Sequence, residues 1–410
     1  MPTTYSVIAG DTFENIARKV YGTEADAGVI ARANPGAVEP LNAGTTLSIP
    51  AQPSAPQNVQ QTATAANREE VAVLIDGVRF RFWDRARVTR SIDAVDTIEL
   101  SAPFDPDGPS FKKTFRPFSF KTLDVTVGGD PLFTGTLVGI TPEMASDRTS
   151  LELSGYALPG VLGDCTSPAL PNELEFYASS LQDIAEYLTA PFGISVEFHA
   201  DGGAVFEQVA NGVDAKVLPF LVRLAQQRGL VVSSSPRGAL VFAKDAAGAP
   251  VARLVQGSAP VVAITPTFRP QEYYSHISGS EPAGLGFAGS QYTVKNSRLS
   301  GVVRPLVFNA PDTLDADVKG AVEAKAGRMF ANAAGYAVDV ATWRDPAGAL
   351  WAPNTTVTLL APGAMVYSEF TFTVRSVDFT RDGKRESATL NLMIPGGFSG
   401  GIPEALPWDE

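Results

Sequence analysis

The chain has 410 residues, too many for one ordinary core, so two to four domains are expected. With 44% hydrophobic and 19% charged residues it can bury substantial cores, and its net charge of -12 argues against a nucleic-acid-binding surface, which needs clustered Lys and Arg. One cysteine, Cys165, and two histidines, His199 and His276, exclude an intramolecular disulfide framework, a multi-cysteine zinc site and His-rich metal or acid–base centres.

The first segment, residues 1–51, reads as strand, helix, helix, strand. Tyr5–Ile8 is a short strand, and Gly10-Asp11-Thr12 is a turn in which Asp11 or Thr12 caps a helix. Phe13, Ile16, Ala17 and Val20 follow at helical spacing, and Gly22 closes that helix. A second helix carries Val29, Ile30 and Ala33 and stops at Asn34-Pro35-Gly36; Leu41, Gly44, Leu47, Ile49 and Pro50 form the closing turn and strand. The start of the chain has neither a basic stretch nor a continuous apolar run, so no signal peptide is expected there, and no apolar run reaches the roughly 20 residues that span a bilayer.

Tyr5, Val7, Gly10-Asp11-Thr12, Ile16-Ala17, Tyr21-Gly22, Ile30, Asn34-Pro35, Leu41, Gly44, Leu47 and Ile49-Pro50 together resemble the LysM family over the whole module. That resemblance implies a βααβ domain binding N-acetylglucosamine-containing glycan in a groove lined by Gly10, Asp11, Thr12, Phe13, Ile30, Asn34 and Pro35. The same residues have a purely structural reading: glycine for a turn, Asp as a cap, proline as a stop. No extra aromatic platform for sugar stacking accompanies them.

Residues 52–69 are rich in Ala, Gln, Thr and Pro and are read as a linker. From residue 70 to 170 the pattern turns to period two, the mark of half-buried strands. Val71–Ile75 and Val78–Phe82 flank Asp76-Gly77, the strongest short-range hairpin signal. Strands follow at Arg87–Ile92, Asp96–Ser101, Leu123–Val127, Leu132–Ile140 and Ser150–Gly155, giving a first β-barrel or sandwich. Residues 171–255 form a small α/β domain, with amphipathic helices at Ser180–Leu188 and Val217–Arg228 and strands at Gly193–Phe198, Gly229–Ser233 and Leu240–Ala243. Residues 256–400 return to strands, with one Ala-rich helix over Leu314–Asn332, and 401–410 are an acidic tail whose Trp408 either docks on a neighbour or frays.

Phe133–Ile140 aligns without a gap on Phe370–Val377, and Ser150–Leu153 and Thr389–Leu392 follow at similar offsets. This is a sign of duplication: two β domains on one strand plan. The expected class is therefore multidomain and mainly β, a LysM module followed by two related β-barrels with a small α/β domain between them.

Catalytic machinery is not found in the sequence. Cys165 reads as a buried structural residue, and Glu173, Glu175, Asp183 and Glu186 sit where helix capping or a solvated face explains them. The glycine-containing stretch Ala283–Gly289 lacks a preceding strand and a closing Lys-Ser or Lys-Thr, so it is a flexible loop rather than a phosphate cradle. No enzyme, no catalytic residue, no metal and no cofactor are expected.

Arg87–Ile92, Gly155-Tyr156 with Asp164-Cys165, Ala190–Gly193, Leu224–Gly229, Trp343–Asp345 and Leu350–Asn354 occur in the order seen in the baseplate hub family of Mu-like phages, related to late-control protein D, and residues 70–400 resemble that family. The resemblance implies a structural hub of a contractile phage tail: a homotrimer whose duplicated β domains make a ring of six similar units. Such a ring joins a six-fold tail tube protein above to a three-fold central spike protein below, with DNA passing through the lumen without specific binding. The implied location is the virion tail baseplate, assembled in the host cytoplasm, with the LysM module serving peptidoglycan or subunit contact. Two other readings are a LysM-targeted cell-wall hydrolase, which needs a catalytic cluster, and the hub of a tailocin or secretion injection machine.

Overall fold

A computed structural model describes residues 3–8, 10–21, 27–34, 36–38, 40–49, 69–105, 107–144, 149–170, 173–245, 248–280, 291–299, 301–309, 318–383, 385–398 and 405–409. The chain divides into two compact units, residues 1–65 and 66–410.

The N-terminal unit contains β1 (Thr3–Ser6), α1 (Phe13–Tyr21), α2 (Ala27–Ala33) and β2 (Thr46–Ile49). β1 and β2 pair antiparallel, Thr3 opposite Ile49, so the expected strand–helix–helix–strand order is present, with its first strand two residues earlier than read. Val7, Ile16, Ala17, Ile30, Leu41, Leu47 and Ile49 are its core. Thr12, and not Asp11, caps α1: its Oγ1 accepts the Asn15 N–H at 3.2 Å.

The second unit opens with β3 (Val71–Ile75), β4 (Val78–Phe80), β5 (Arg85–Ser91), β6 (Thr97–Pro103), α3 (Pro109–Thr114), β7 (Thr122–Val127), β8 (Asp130–Met144) and β9 (Thr149–Ala157). Asp76 and Gly77 both have positive φ, the condition for the two-residue turn that joins β3 to β4. A mixed region follows: α4 (Val161–Asp164), β10 (Glu175–Ser179), α5 (Leu181–Thr189), β11 (Val196–Phe198), β12 (Phe206–Ala210), α6 (Val217–Gln227), β13 (Val231–Ser234) and β14 (Leu240–Ala243). α5 starts with a capping box between Ser180 and Asp183. The buried faces of α5 and α6 meet Leu230, Val232, Leu240 and Phe242 in a separate core.

The last part comprises β15 (Ala252–Val255), β16 (Val261–Phe268), β17 (His276–Ser280), β18 (Gln291–Lys295), β19 (Pro305–Asn309), α7 (Val318–Ala333), β20 (Ala334–Val340), β21 (Thr356–Ala361), β22 (Val366–Asp382) and β23 (Arg385–Met393). β17, β18 and β19 form a small sheet that α7 covers, an insertion that the period-two reading did not resolve. The start of the expected helix at Leu314, the stretch Ala283–Gly289, residues 52–68 of the linker, Gly22 and Pro35 lie outside the described residues. At the C-terminus, Leu406 is buried, Trp408 packs edge-on against Phe268 and Asp409 pairs with Arg298 at 2.8 Å. The described part of the tail therefore neither frays nor reaches away; it folds back on its own chain.

One large sheet runs β16-β20-β23-β22-β5-β6-β9-β8-β7-β3-β4, with β21 beside β22 and β15 beside β21. It contains the same strand order twice: β5-β6-β9-β8-β7 and β16-β20-β23-β22-β21. The two hairpins also agree in register. Met144 faces Thr149 in the first, as Arg381 faces Glu386 in the second. The bulge between Leu137 and Gly139 recurs between Val374 and Ser376 at one constant offset. That offset places Leu151 with Ala388 and Leu153 with Leu390, two residues from the sequence alignment of these strands but on the same face. The outer strands differ, since β3 runs antiparallel to β7 and β15 parallel to β21. A single hydrophobic core extends through both halves.

Candidate assembly site at the junction of the two β units

The long strand β22 does two jobs. Its first half pairs with β21, Thr356 opposite Thr373, and its second half pairs with β5, Ser376 opposite Ser91 through Asp382 opposite Arg85. This second pairing welds the first β unit to the second. Val88, Val377 and Phe379 are fully buried along it. Asp378 gathers the polar side: it accepts Arg87 at 3.0 Å, the Thr89 hydroxyl at 2.6 Å and Asn391 Nδ2 at 3.0 Å. Arg375 reaches Asp93 at 2.7 Å from the same strand. Opposite-charge and hydroxyl pairs directly across strands are the side-chain unit of sheet stability.

Trp343–Asp345 supplies a second clasp. Trp343 is buried, donates Nε1–H to the Ser387 carbonyl at 2.8 Å and stands edge-on to Phe379. Arg344 crosses to the other unit, donating to Asp130 at 2.8 Å and to the Val127 carbonyl at 3.0 Å, while holding its own loop through the Gly348 carbonyl at 2.9 Å. Asp345 closes that loop by accepting the Ala349 N–H. Tyr156, from another of the matched stretches, donates to Asp164 at 2.7 Å; burial and that carboxylate push the phenol well above its ordinary range.

The small α/β region rests on this junction. Ser234 Oγ accepts the Asp96 N–H at 2.9 Å, and Ile92, Val231, Val241, Ala331, Met393 and Phe398 share one buried cluster. Asp96 is almost fully buried and faces Arg90 at 3.2 Å; burial outweighs the guanidinium and pushes its carboxyl up to about 6. Asp96 and Arg90 are both buried.

The residues proposed for a glycan groove are distributed differently. Gly10 makes the left-handed turn at φ 88°. Asp11 is buried and accepts Tyr5 Oη at 2.9 Å, the Ile8 N–H at 3.0 Å and Lys19 Nζ at 2.6 Å, and Lys19 holds its carboxyl below the usual range. Phe13 packs against the core and Ile30 is fully buried within it. Asn34 clamps β2, donating to the carbonyls of Ile30 and Ser48 and accepting the Ser48 N–H, each at 2.8 Å. A shallow hollow between α2 and β2 is lined by Asn34, Ala37, Val38, Asn42, Thr45 and Thr46; among the described groove residues, Asn34 alone lines it.

Among the described residues no three His, Cys, Asp or Glu side chains come together as a metal site, and no helix is long and apolar enough to cross a membrane. His199 lies beside Glu197 on β11, and His276 Nδ1 is bonded to Ser275 on β17. Cys165 follows α4 and is half-buried. A cavity of about 360 Å³ beside α7 is lined by Phe268, Pro270, Tyr273, Phe330, Ile394 and Trp408; it is apolar and carries no acid–base pair.

The strand plan is duplicated, ion pairs join the two β units, and the proteins this chain is similar to are phage tail proteins. Residues 159–244 match the family described as baseplate hub protein gp44-like, second domain. The baseplate hub protein gp44 of Escherichia phage Mu is 25% identical over 303 residues, covering 70% of this chain and 78% of its own length. Two solved structures share the fold. The 43 kDa tail protein of prophage MuSo2 from Shewanella oneidensis is 22% identical with a TM-score of 0.69, over 80% of this chain and 99% of its own. The tail protein from Neisseria meningitidis MC58 is 20% identical with a TM-score of 0.67, over 80% and 98%. The chain is thus similar to a baseplate hub protein over 70% of its length, and residues 159–244 match the gp44-like second domain.

Sequence reasoning missed the β10–β12 pair, α3 and the inserted β17–β19 sheet. β10 shows alternation only at Phe176, since Tyr177 and Ala178 are exposed and Ala178 has positive φ. The Asp378 and Arg344 clusters join residues more than 200 positions apart, a relation that local pattern does not carry.

Proposed function

We propose that the protein is the hub of a contractile phage baseplate: a homotrimer whose six barrel-like β units match the six-fold tail tube protein above and whose three chains match the three-fold spike protein below. The observation that carries this reading is the doubled strand order with a bulge at the same place in each copy. Two equivalent units per chain let a three-chain ring offer six equivalent surfaces. DNA passes through the lumen without specific binding, and the net charge of -12 favours that because like charge keeps a polyanion from adhering. Assembly takes place in the host cytoplasm before the hub enters the virion tail. The N-terminal unit serves as a LysM-type module, and the hollow at Asn34 is its place for peptidoglycan glycan or for subunit contact.

Molar mass by light scattering across a concentration series tests the trimer. Three times the chain mass, or a monomer–trimer equilibrium, is the expected result; a monomer at every concentration, alone and with tube and spike proteins added, refutes it.

A further inference from the structure

The duplication is an internal control for side chains that the shared strand plan does not require. β22 corresponds to β8, β23 to β9, β20 to β6 and β16 to β5, through strand order and register. On the face of the second β unit that turns away from the core, against the last turn of α7, lies a hollow of about 270 Å³. Gly335 and Ala337 floor it, and Arg269, Thr267, Asn332 and Arg375 stand around it. In the first β unit, Thr97 and Glu99 hold the places of Gly335 and Ala337, and Ser91 and Val138 those of Arg269 and Arg375. The first unit has its own hollow on this face, but Arg85 and Arg87 there stand beside Glu99 and Glu152. The strand plan alone therefore does not account for the cations at Arg269 and Arg375.

Arg375 is already committed. Its Nη2 donates to Asp93 and its Nη1 to Asn332 Oδ1, each at 2.7 Å. The second bond orients the Asn332 amide and leaves its Nδ2 free to donate. Arg269 is exposed, and its guanidinium has no hydrogen bond or ion pair among the described residues. The Thr267 hydroxyl is likewise free, and Ser376 Oγ accepts Asn391 Nδ2 at 3.0 Å, which leaves its own proton available. The unused groups around the hollow are thus mainly donors. Two cations, Arg269 and Arg375, stand against one anion, Asp93, so the charge in excess is +1. Such a hollow suits a monoanion.

We propose that this hollow binds the carboxylate of an acidic peptide segment, with Arg269 as the planar fork and Asn332, Thr267 and Ser376 as the neutral donors. A carboxylate matches both the excess charge and the flat, two-pronged geometry of a guanidinium. A phosphate dianion would leave one negative charge unmatched. Arg269 also lines the apolar cavity formed by Phe268, Tyr273, Phe330 and Trp408. The residue next to the carboxylate is therefore aromatic or aliphatic, and the recognised element is an acid–apolar pair. Arg375 is a positioning residue, since it acts through Asn332. The site lies within one chain, so it stands or falls independently of the trimer.

Ligand-observed saturation-transfer NMR on the full chain tests this, with acetyl-aspartyl-phenylalanine amide as the probe. The expected result is saturable binding that the asparaginyl analogue lacks. Arg269→Ala is expected to weaken it about tenfold, the effect of one lost charge-assisted hydrogen bond, and Thr267→Val about threefold. Arg85→Ala, in the hollow of the first β unit, is expected to leave it unchanged. Inorganic phosphate that binds more tightly than the peptide overturns the carboxylate assignment, and equal binding of the aspartyl-glycine analogue overturns the apolar half of the ligand. Probe binding that survives Arg269→Ala, or that Arg85→Ala weakens equally, overturns the site. No binding to the wild-type chain overturns the proposal outright.

Discussion

Arg344 offers the most direct measure of how the two β units hold together. Its side chain is about nine-tenths buried; it donates to Asp130 and to two backbone carbonyls, Val127 and Gly348, and lies 3.6 Å from the Glu69 carboxylate. Truncation to Ala leaves both carbonyls without this charged donor, a loss of about 1.5–2 kcal/mol each. Asp130 is 61% exposed, so its share of the ion pair is screened and adds about 0.5 kcal/mol. The sum is about 4 kcal/mol. Urea unfolding of the second unit, followed by the fluorescence of buried Trp343 and Trp351, reads this as a midpoint shift of about 1 M or more. Arg344→Lys reaches one acceptor and is expected to lose about half as much. Asp130→Ala is expected to cost no more than about 1 kcal/mol. If Arg344→Ala and Asp130→Ala shift the midpoint equally, the buried carbonyls contribute nothing and the clasp is only a surface ion pair.

Asp378→Ala, which strips three partners from the β22–β5 junction, is expected to cost about 2 kcal/mol, and hydrogen exchange should quicken at β5 and β22 before it does at β14. Asp96 predicts a pH dependence: its carboxyl titrates near 6 when folded and near 3.8 when unfolded, so its favourable contribution is full below pH 3.8 and is lost as pH rises through 6. About two pH units correspond to about 3 kcal/mol. The difference in unfolding free energy between wild type and Asp96→Asn should therefore fall by that order between pH 4 and pH 7, and parallel curves would exclude this role. Asn34→Ala removes three bonds between α2 and β2 and should destabilise the N-terminal unit by about 2 kcal/mol, read as faster exchange of the Ser48 amide with β14 unaffected.

Much of the architecture could be read from local pattern. Asp76-Gly77 specified its hairpin because both residues tolerate positive φ, and α5 announced its start through Ser180 and Asp183. The duplication was visible because β8 and β22 need the same alternation on either side of the same bulge. What bound the halves was not visible. Arg344, Asp378 and Asp96 look in sequence like surface charges, and only contacts far along the chain draw them in: Arg344 to Val127, Asp378 to Thr89 and Asp96 to Ser234. The glycan-groove residues were ambiguous for a related reason: a glycine turn, a buried Asp and an Asn clamp are required by the small fold itself, whatever the unit binds.

The bulge has a mechanical meaning. Two residues on one strand against one on its partner give each hairpin a tooth, and the tooth meshes in one register only. A slip of one residue would turn every apolar side chain of β9 or β23 outward, and a slip of two would set the tooth against a closed gap. Both hairpins carry that tooth at the same height, so shear along the strands meets resistance in both halves together. A chain with one cysteine has no covalent staple to stop such creep. Its resistance to sliding is built into the count of residues.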